Sequence, residues 1–241
     1  MLAYNADIQF PAASTIKVLI LMSLYQAAER DPELLTRRVR LRADDMVGVT
    51  HFLVGARPGD AYSVRYLAEA MIVASDNTAA NSLITLLGFS RIKASAYRAG
   101  LAHTQLKRHF LDYAAIVRHS ENLTTPRDLG ELLYAIERGS HEALRTVASP
   151  HSCRAMIDLM VRQEDRDKIA RGLPRGVRIA NKTGEVDFVR NDVAIVDPYG
   201  DEPYVLTVFT KQLSNYASGL GAIRAVARAV HGVVERGMDD C

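Results

Sequence analysis

The chain has 241 residues, 48% of them hydrophobic and 24% charged, with a net charge of +2. That length gives room for one large core or two modest ones. Both charge signs are interspersed, which excludes the basic stripe of a nucleic-acid binder, and no apolar run is long enough to span a membrane. The densest basic run, Arg37 to Arg42, is followed at once by Asp44-Asp45 and reads as a solvated connection. Cys153 and Cys241 make no disulfide framework, and a cystine involving the last residue is not expected. Lys17 and the apolar stretch after it loosely mimic an export signal, but Asp7 and a single basic residue argue against one.

In chain order, residues 14 to about 30 carry apolar side chains at helical spacing. Pro58-Gly59 breaks the chain, and Ser63 is placed to cap a helix through Ala74. A second helix runs from about Asn77 to Leu87 and ends at Gly88; Ser90 to Gly100 repeats the same logic. Thr125-Pro126 opens a helix to about Glu137, with proline at its first position, and Ser152 to Gln163 is another. After Gly172 the texture changes. Residues 176–184, 188–197 and 203–211 are rich in Val, Ile, Thr and aromatics, with a turn at Asp197–Asp201, and predict three consecutive antiparallel strands. A last helix spans about Ala217 to Arg236. The order predicts α+β, or an α/β layer with an all-helical insertion.

Three short motifs carry chemistry. In "FPAASTIK", Ser14 and Lys17 fall on one helix face, one turn apart. A serine at a helix N-terminus sits beside free N–H groups, and a lysine held against apolar neighbours loses its charge readily. A neutral amine next to a hydroxyl is a general base. On its own the motif reads better as an ordinary N-cap with Lys17 snorkelling to solvent. In "ASDNTAAN", Ser75, Asp76, Asn77 and Asn81 cluster at a break between two apolar helices, more polar residues than one cap explains. In "NKTGEVDFVRND", Lys182 and Thr183 lie on a predicted strand and Gly184 removes a side chain there, the mark of a close approach or a bulge.

Ser-x-x-Lys on a helix, Ser-Asp-Asn between helices and Lys-Thr-Gly on a strand, in that order, resemble the serine β-lactamase family, class A-like, with its penicillin-binding relatives. The resemblance covers nearly the whole chain. It implies an antiparallel sheet flanked by helices plus an all-α domain (residues 13–161), the sheet belonging to a discontinuous α/β domain (1–12 and 162–241). It implies Ser14 as nucleophile, Lys17 in its activating network and Ser75 as proton relay to the leaving nitrogen. Asn77 would bind the substrate's side-chain amide; Lys182, Thr183 and Arg190 would bind its carboxylate. The backbone N–H groups of Ser14 and Glu185 would form the oxyanion hole, while Asp76 and Asn81 would be structural. Substrates would be small-molecule β-lactams or D-alanyl-D-alanine-like peptides. No cofactor or metal is implied, and a monomer is expected.

Two departures stand out. Class A enzymes carry Glu-x-x-x-Asn before the "TTP" helix, and its glutamate activates the deacylating water. Residues 106–126 have no such pattern: Asp112 stands nearest the expected position, with Glu121 and His109 as further candidates. Acylation with slow turnover is therefore the expectation. The alternatives are a D-alanyl-D-alanine peptidase or esterase with the same acylation machinery, and a non-catalytic β-lactam sensor. The resemblance also implies a helix and a first strand ahead of Leu2–Asn5, which this chain lacks, leaving an open sheet edge. Localisation is open; a longer N-terminus would fit the periplasm or secretion.

Overall fold

The computed structural model describes residues 2–48, 50–141 and 146–239. The chain runs β1 (Phe10–Pro11), a 3-10 turn (Ala13–Ile16), α1 (Lys17–Ala28), β2 (Arg38–Arg40), β3 (Ala61–Ser63), α2 (Val64–Val73), α3 (Asn77–Leu87) and α4 (Phe89–Arg98). It continues through α5 (Tyr113–Val117), β4 (Leu123–Thr124), α6 (Pro126–His141), α7 (Pro150–Val161) and α8 (Ile169–Gly172). It closes with β5 (Ile179–Val186), β6 (Val189–Val196), β7 (Tyr204–Thr210) and α9 (Tyr216–Asp239).

The helix boundaries follow from local chemistry. The Ser63 hydroxyl accepts from Tyr66 N at 3.2 Å and caps α2; the Asp76 carboxylate accepts from Ala79 N at 2.8 Å and caps α3. Gly88, at φ +78°, ends α3 and leads straight into α4, so Ser90 caps nothing. The helix expected from Ser152 starts two residues earlier, because Ser149 supplies the cap and Pro150 the first turn. α1 is buried from Lys17 through Ala27 rather than on one stripe; it is the central helix, with other elements on every side.

The expected solvated connection at Arg37–Arg42 contains a strand. β2 pairs antiparallel with β3, Val39 opposite Tyr62. Alternation explains it: Arg38 and Arg40 point to solvent while Val39 packs against the core. β1 and β4 form a second short ribbon, Phe10 opposite Thr124, that ties the segment before Ser14 to the loop ahead of α6.

The main sheet is the expected meander, β5-β6-β7, antiparallel throughout, with Lys182 opposite Val193 and Gly184 opposite Asn191. Ala180, Val193 and Ile195 join the large core built with α1, α2, α3, α6 and α7. The other face, with Ala194, Val196 and Leu206, packs on Ile169 of α8 and on Ile223 and Ala227 of α9. Burial on both faces is why Val193–Val196 is a continuous apolar run. Among the described residues β7 has a partner strand on one edge only. Cys153 is a buried free thiol, and Cys241 lies outside the described residues. No helix among the described residues is long and apolar enough to cross a membrane.

Candidate active site

The segment before Ser14 is clamped from two sides. Ala12 N donates to Asn122 O at 2.8 Å, and Asn191 Nδ2 on β6 donates to Pro11 O at 2.9 Å. Ala13 then takes a positive φ of 47°, and the 3-10 turn runs directly into α1. Ser14 caps neither helix, so the ordinary N-cap reading fails. Instead β5 crosses the turn at close range. A Cβ on Gly184 would stand 2.9 Å from both Ser14 N and Thr15 N. The glycine therefore marks the approach of another backbone, and it lets β5 lie beside Ser14 N, while Thr15 N donates within the turn to Ala12 O at 3.1 Å.

Lys17 does not snorkel. It is fully buried, and its Nζ reaches Ser75 O and Asn77 Oδ1 at 2.7 Å each and Ser75 Oγ at 3.2 Å. Burial, with the nearby Lys182 charge, pulls its pKa well below the usual lysine value; Asp76 opposes this weakly. A neutral amine has two hydrogens. The two carbonyl oxygens at 2.7 Å occupy them, and the lone pair is left for a hydroxyl proton.

Ser75 is at φ +59°, a left-handed conformation rare outside glycine. The neighbours hold it there. Asp76 N donates to Ala70 O at 2.9 Å, and the Asp76 carboxylate also takes Thr50 N and Thr50 Oγ1. Ser75 Oγ thereby lies 3.2 Å from Lys17 Nζ and 3.0 Å from Lys182 Nζ, bridging two buried lysines. Burial lowers Lys182 to about 7, against the pull of Asp192 and Asp165. Behind it Asp192, pushed up to about 6 by burial, is held by Asn181 Nδ2 and Ile169 N.

Ser14, Ser75, Asn77, Thr183, Gly184 and Glu185 line one cavity of about 330 Å³. Its far wall includes Gln163, Glu164 and Asp165. The sequence reading missed a third fully buried lysine, Lys168, which lies 2.5 Å from both Asp165 and Glu185 and so joins two carboxylates of the cavity lining. Burial would lower its pKa, but the two carboxylates more than compensate and hold the ammonium above its usual value. The only sequence signal was Asp165-x-x-Lys168; the tie to Glu185 is invisible in one dimension.

Four expected participants, Arg190, Asp112, Glu121 and His109, are absent from this lining. Arg190 does not line this cavity. Its guanidinium lies over the Tyr216 ring at 4.1 Å and donates to Val186 O and Val189 O, beside a separate depression with Phe188 and Tyr216. The Asp112 carboxylate caps α5, accepting from Ala115 N at 2.9 Å, and is absent from the cavity lining. Glu121 is tied to Arg108 at 2.6 Å, and His109 contacts Thr85 and Phe89. What faces Lys17 from this loop is Phe110, a residue the sequence reading passed over. Its ring centre is 4.4 Å from Lys17 Nζ, and its backbone is pinned by the Asn81 side chain at both N and O.

Two buried lysines bridged by one serine hydroxyl thus stand near a second serine at a helix start, between a helical body and an antiparallel meander. The family model described as the beta-lactamase enzyme family matches residues 1–234, and the chain belongs to that family. It is similar to a β-lactamase of Streptomyces fradiae, 31% identical over 88% of this chain and 70% of that protein. It is also similar to β-lactamase Toho-2 of Escherichia coli, 30% identical over 94% of this chain and 77% of that one. Among solved structures, a point mutant of PBP-A in an acyl-enzyme complex with penicillin G superposes with a TM-score of 0.87, at 32% identity, over 98% of this chain and 85% of that one. The β-lactamase of Sphaerobacter thermophilus DSM 20745 gives 0.83 at 31% identity, over 95% and 85%. The α+β fold is that of class A β-lactamases.

Proposed function

We propose that this protein forms an acyl-enzyme on Ser14 with β-lactams and releases it slowly. The observation that carries the reading is the placement of Ser75 Oγ between Lys17 and Lys182 while a phenyl ring, not a carboxylate, covers Lys17 on the loop side.

Neutral Lys17 takes the Ser14 hydroxyl proton as Oγ attacks the lactam carbonyl carbon. The oxyanion that forms is met by the N–H groups of Ser14 and Glu185, each such donor supplying about 3 kcal/mol. The proton moves from Lys17 through Ser75 to the lactam nitrogen as the C–N bond breaks. The Lys182 ammonium and the Thr183 hydroxyl hold the substrate carboxylate, and Asn77 its side-chain amide. Glu185 and Asp165 are kept in place by Lys168 rather than competing for the substrate.

Hydrolysis of the ester needs a base for water. Asp112 is occupied at a helix end and Glu121 by Arg108, so neither is given that role here. The likeness to PBP-A, whose mutant is described as an acyl-enzyme complex with penicillin G, supports acylation by penicillins; the same acylation chemistry would also serve peptide or ester acyl donors, the second reading. Nitrocefin in excess should give a burst equal to the enzyme concentration, then a slow steady phase. Mass spectrometry should find one penicillin adduct, lost in Ser14→Ala. Fast steady turnover would overturn slow release, and no adduct would overturn the whole reading. A peptide thioester assayed alongside decides between the two substrate classes.

A further inference from the structure

Residues of α1, α4 and the segment 100–107 line a second cavity of about 570 Å³, larger than the one beside Ser14. Its size falls within the range of small-molecule sites, about 300–1,000 Å³. The floor is apolar and deeply buried: Leu19 of α1, Ile92 and Ala96 of α4, and Leu101. Tyr97 stands at the mouth with 85% of its surface exposed, so the apolar lining continues out to solvent.

The charge on the lining has one sign. Lys93 and Lys107 are its charged members, and no carboxylate accompanies them. Neither ammonium group has an ion pair or hydrogen bond among the described residues, whereas Lys17, Lys168 and Lys182 are all closely held. An apolar floor with two uncommitted cations at its rim suits a molecule with a single apolar chain and an anionic head.

We propose that this cavity binds a single-chain carboxylate amphiphile, its chain along Leu19, Ile92 and Leu101 and its carboxylate at the lysine rim. The enclosed volume suits one chain rather than the paired chains of a bilayer lipid. The site shares no lining residue with the Ser14 cavity, so it stands or falls independently of the acyl-enzyme reading.

Isothermal calorimetry with decanoate tests it, with decyltrimethylammonium as the same chain under the opposite charge. The expected result is saturable one-to-one binding of decanoate, at least tenfold tighter than the cation. The double variant Lys93→Glu/Lys107→Glu should lose about tenfold in decanoate affinity. Ala96→Trp, which fills the cavity, should abolish binding while leaving penicillin acylation unchanged. No saturation by 1 mM decanoate, equal affinity for both head groups, or full binding by the charge-reversed variant would each overturn the proposal. Sedimentation of the protein with phosphatidylglycerol vesicles, without decanoate binding, would also overturn it by assigning the lysines to a membrane surface.

Discussion

The two sides of the Ser14 cavity use polar groups in opposite ways. On the helix-and-sheet side, buried Lys17 and Lys182 share hydrogens and lone pairs with the half-buried Ser75, so protons have somewhere to go. On the loop side, residues 106–122 also carry many polar groups, yet the ones nearest the expected base are committed to the loop itself. Asn122 binds Lys107 N and Arg108 N, Glu121 binds Arg108, and Asp112 binds Ala115 N. The first arrangement stores reactivity in desolvated groups that bond to one another; the second turns similar residues into scaffold. Composition does not separate them. What separates them is whether a group's partners lead on to another titratable group, as Ser75 Oγ links Lys17 to Lys182.

Phe110 is where this contrast breaks most visibly. Replacing the ring by a carboxylate, Phe110→Glu, puts a base over Lys17 where none stands. Deacylation should speed by about 100-fold, the lower end of general-base catalysis. The decay of the penicillin adduct by mass spectrometry measures it, and an unchanged decay would show that more than a missing base limits release.

The pH profile probes the other side. Because Lys182 titrates near 7, the second-order rate of acylation by penicillin G should fall about tenfold per unit above that pH. Loss of fold is not the cause. The folded protein holds Lys182's proton less tightly than the unfolded chain, whose lysine titrates near ~10.4. This group's contribution to stability therefore rises from about pH 7 towards ~10.4. Lys182→Arg should move the alkaline limb beyond about pH 9, since a guanidinium keeps its charge there. A wild-type rate flat to about pH 9 would remove Lys182 from carboxylate binding.

The smallest effect concerns the hinge between the two sides. Asn81→Ala strips the partners from Phe110 N and O and should cost about 2–3 kcal/mol of stability, roughly 4–12 °C in melting temperature. Acylation should stay within about threefold, since Lys17 keeps its contacts with Ser75 and Asn77. A large loss of acylation would mean that the loop also orders the lysine.

These contrasts also explain what the sequence disclosed. The cap at Ser63, the break at Gly88 and the three apolar strands rest on interactions a few residues apart, and all were legible. So were Ser14, Lys17, Ser75 and Lys182 as one group, because three motifs in fixed order constrain one another. The turn of Arg190 onto Tyr216 was not: strand alternation gives a side chain its face, but the ring that draws it lies on α9. Lys168 was hidden for the same reason, and Phe110 because an apolar residue in a loop ordinarily signals packing alone. Asp112 misled by position. Its three-residue distance to Ala115 N, a cap spacing, was the better guide.

Ser75 carries a consequence of another kind. Its left-handed backbone is the conformation glycine adopts freely, and holding it costs other residues about 1–3 kcal/mol. A glycine there would relax the chain and delete the hydroxyl that joins the two lysines. The sturdiest version of this protein and the reactive one are thus different molecules, and selection for durability alone would erase the site one atom at a time.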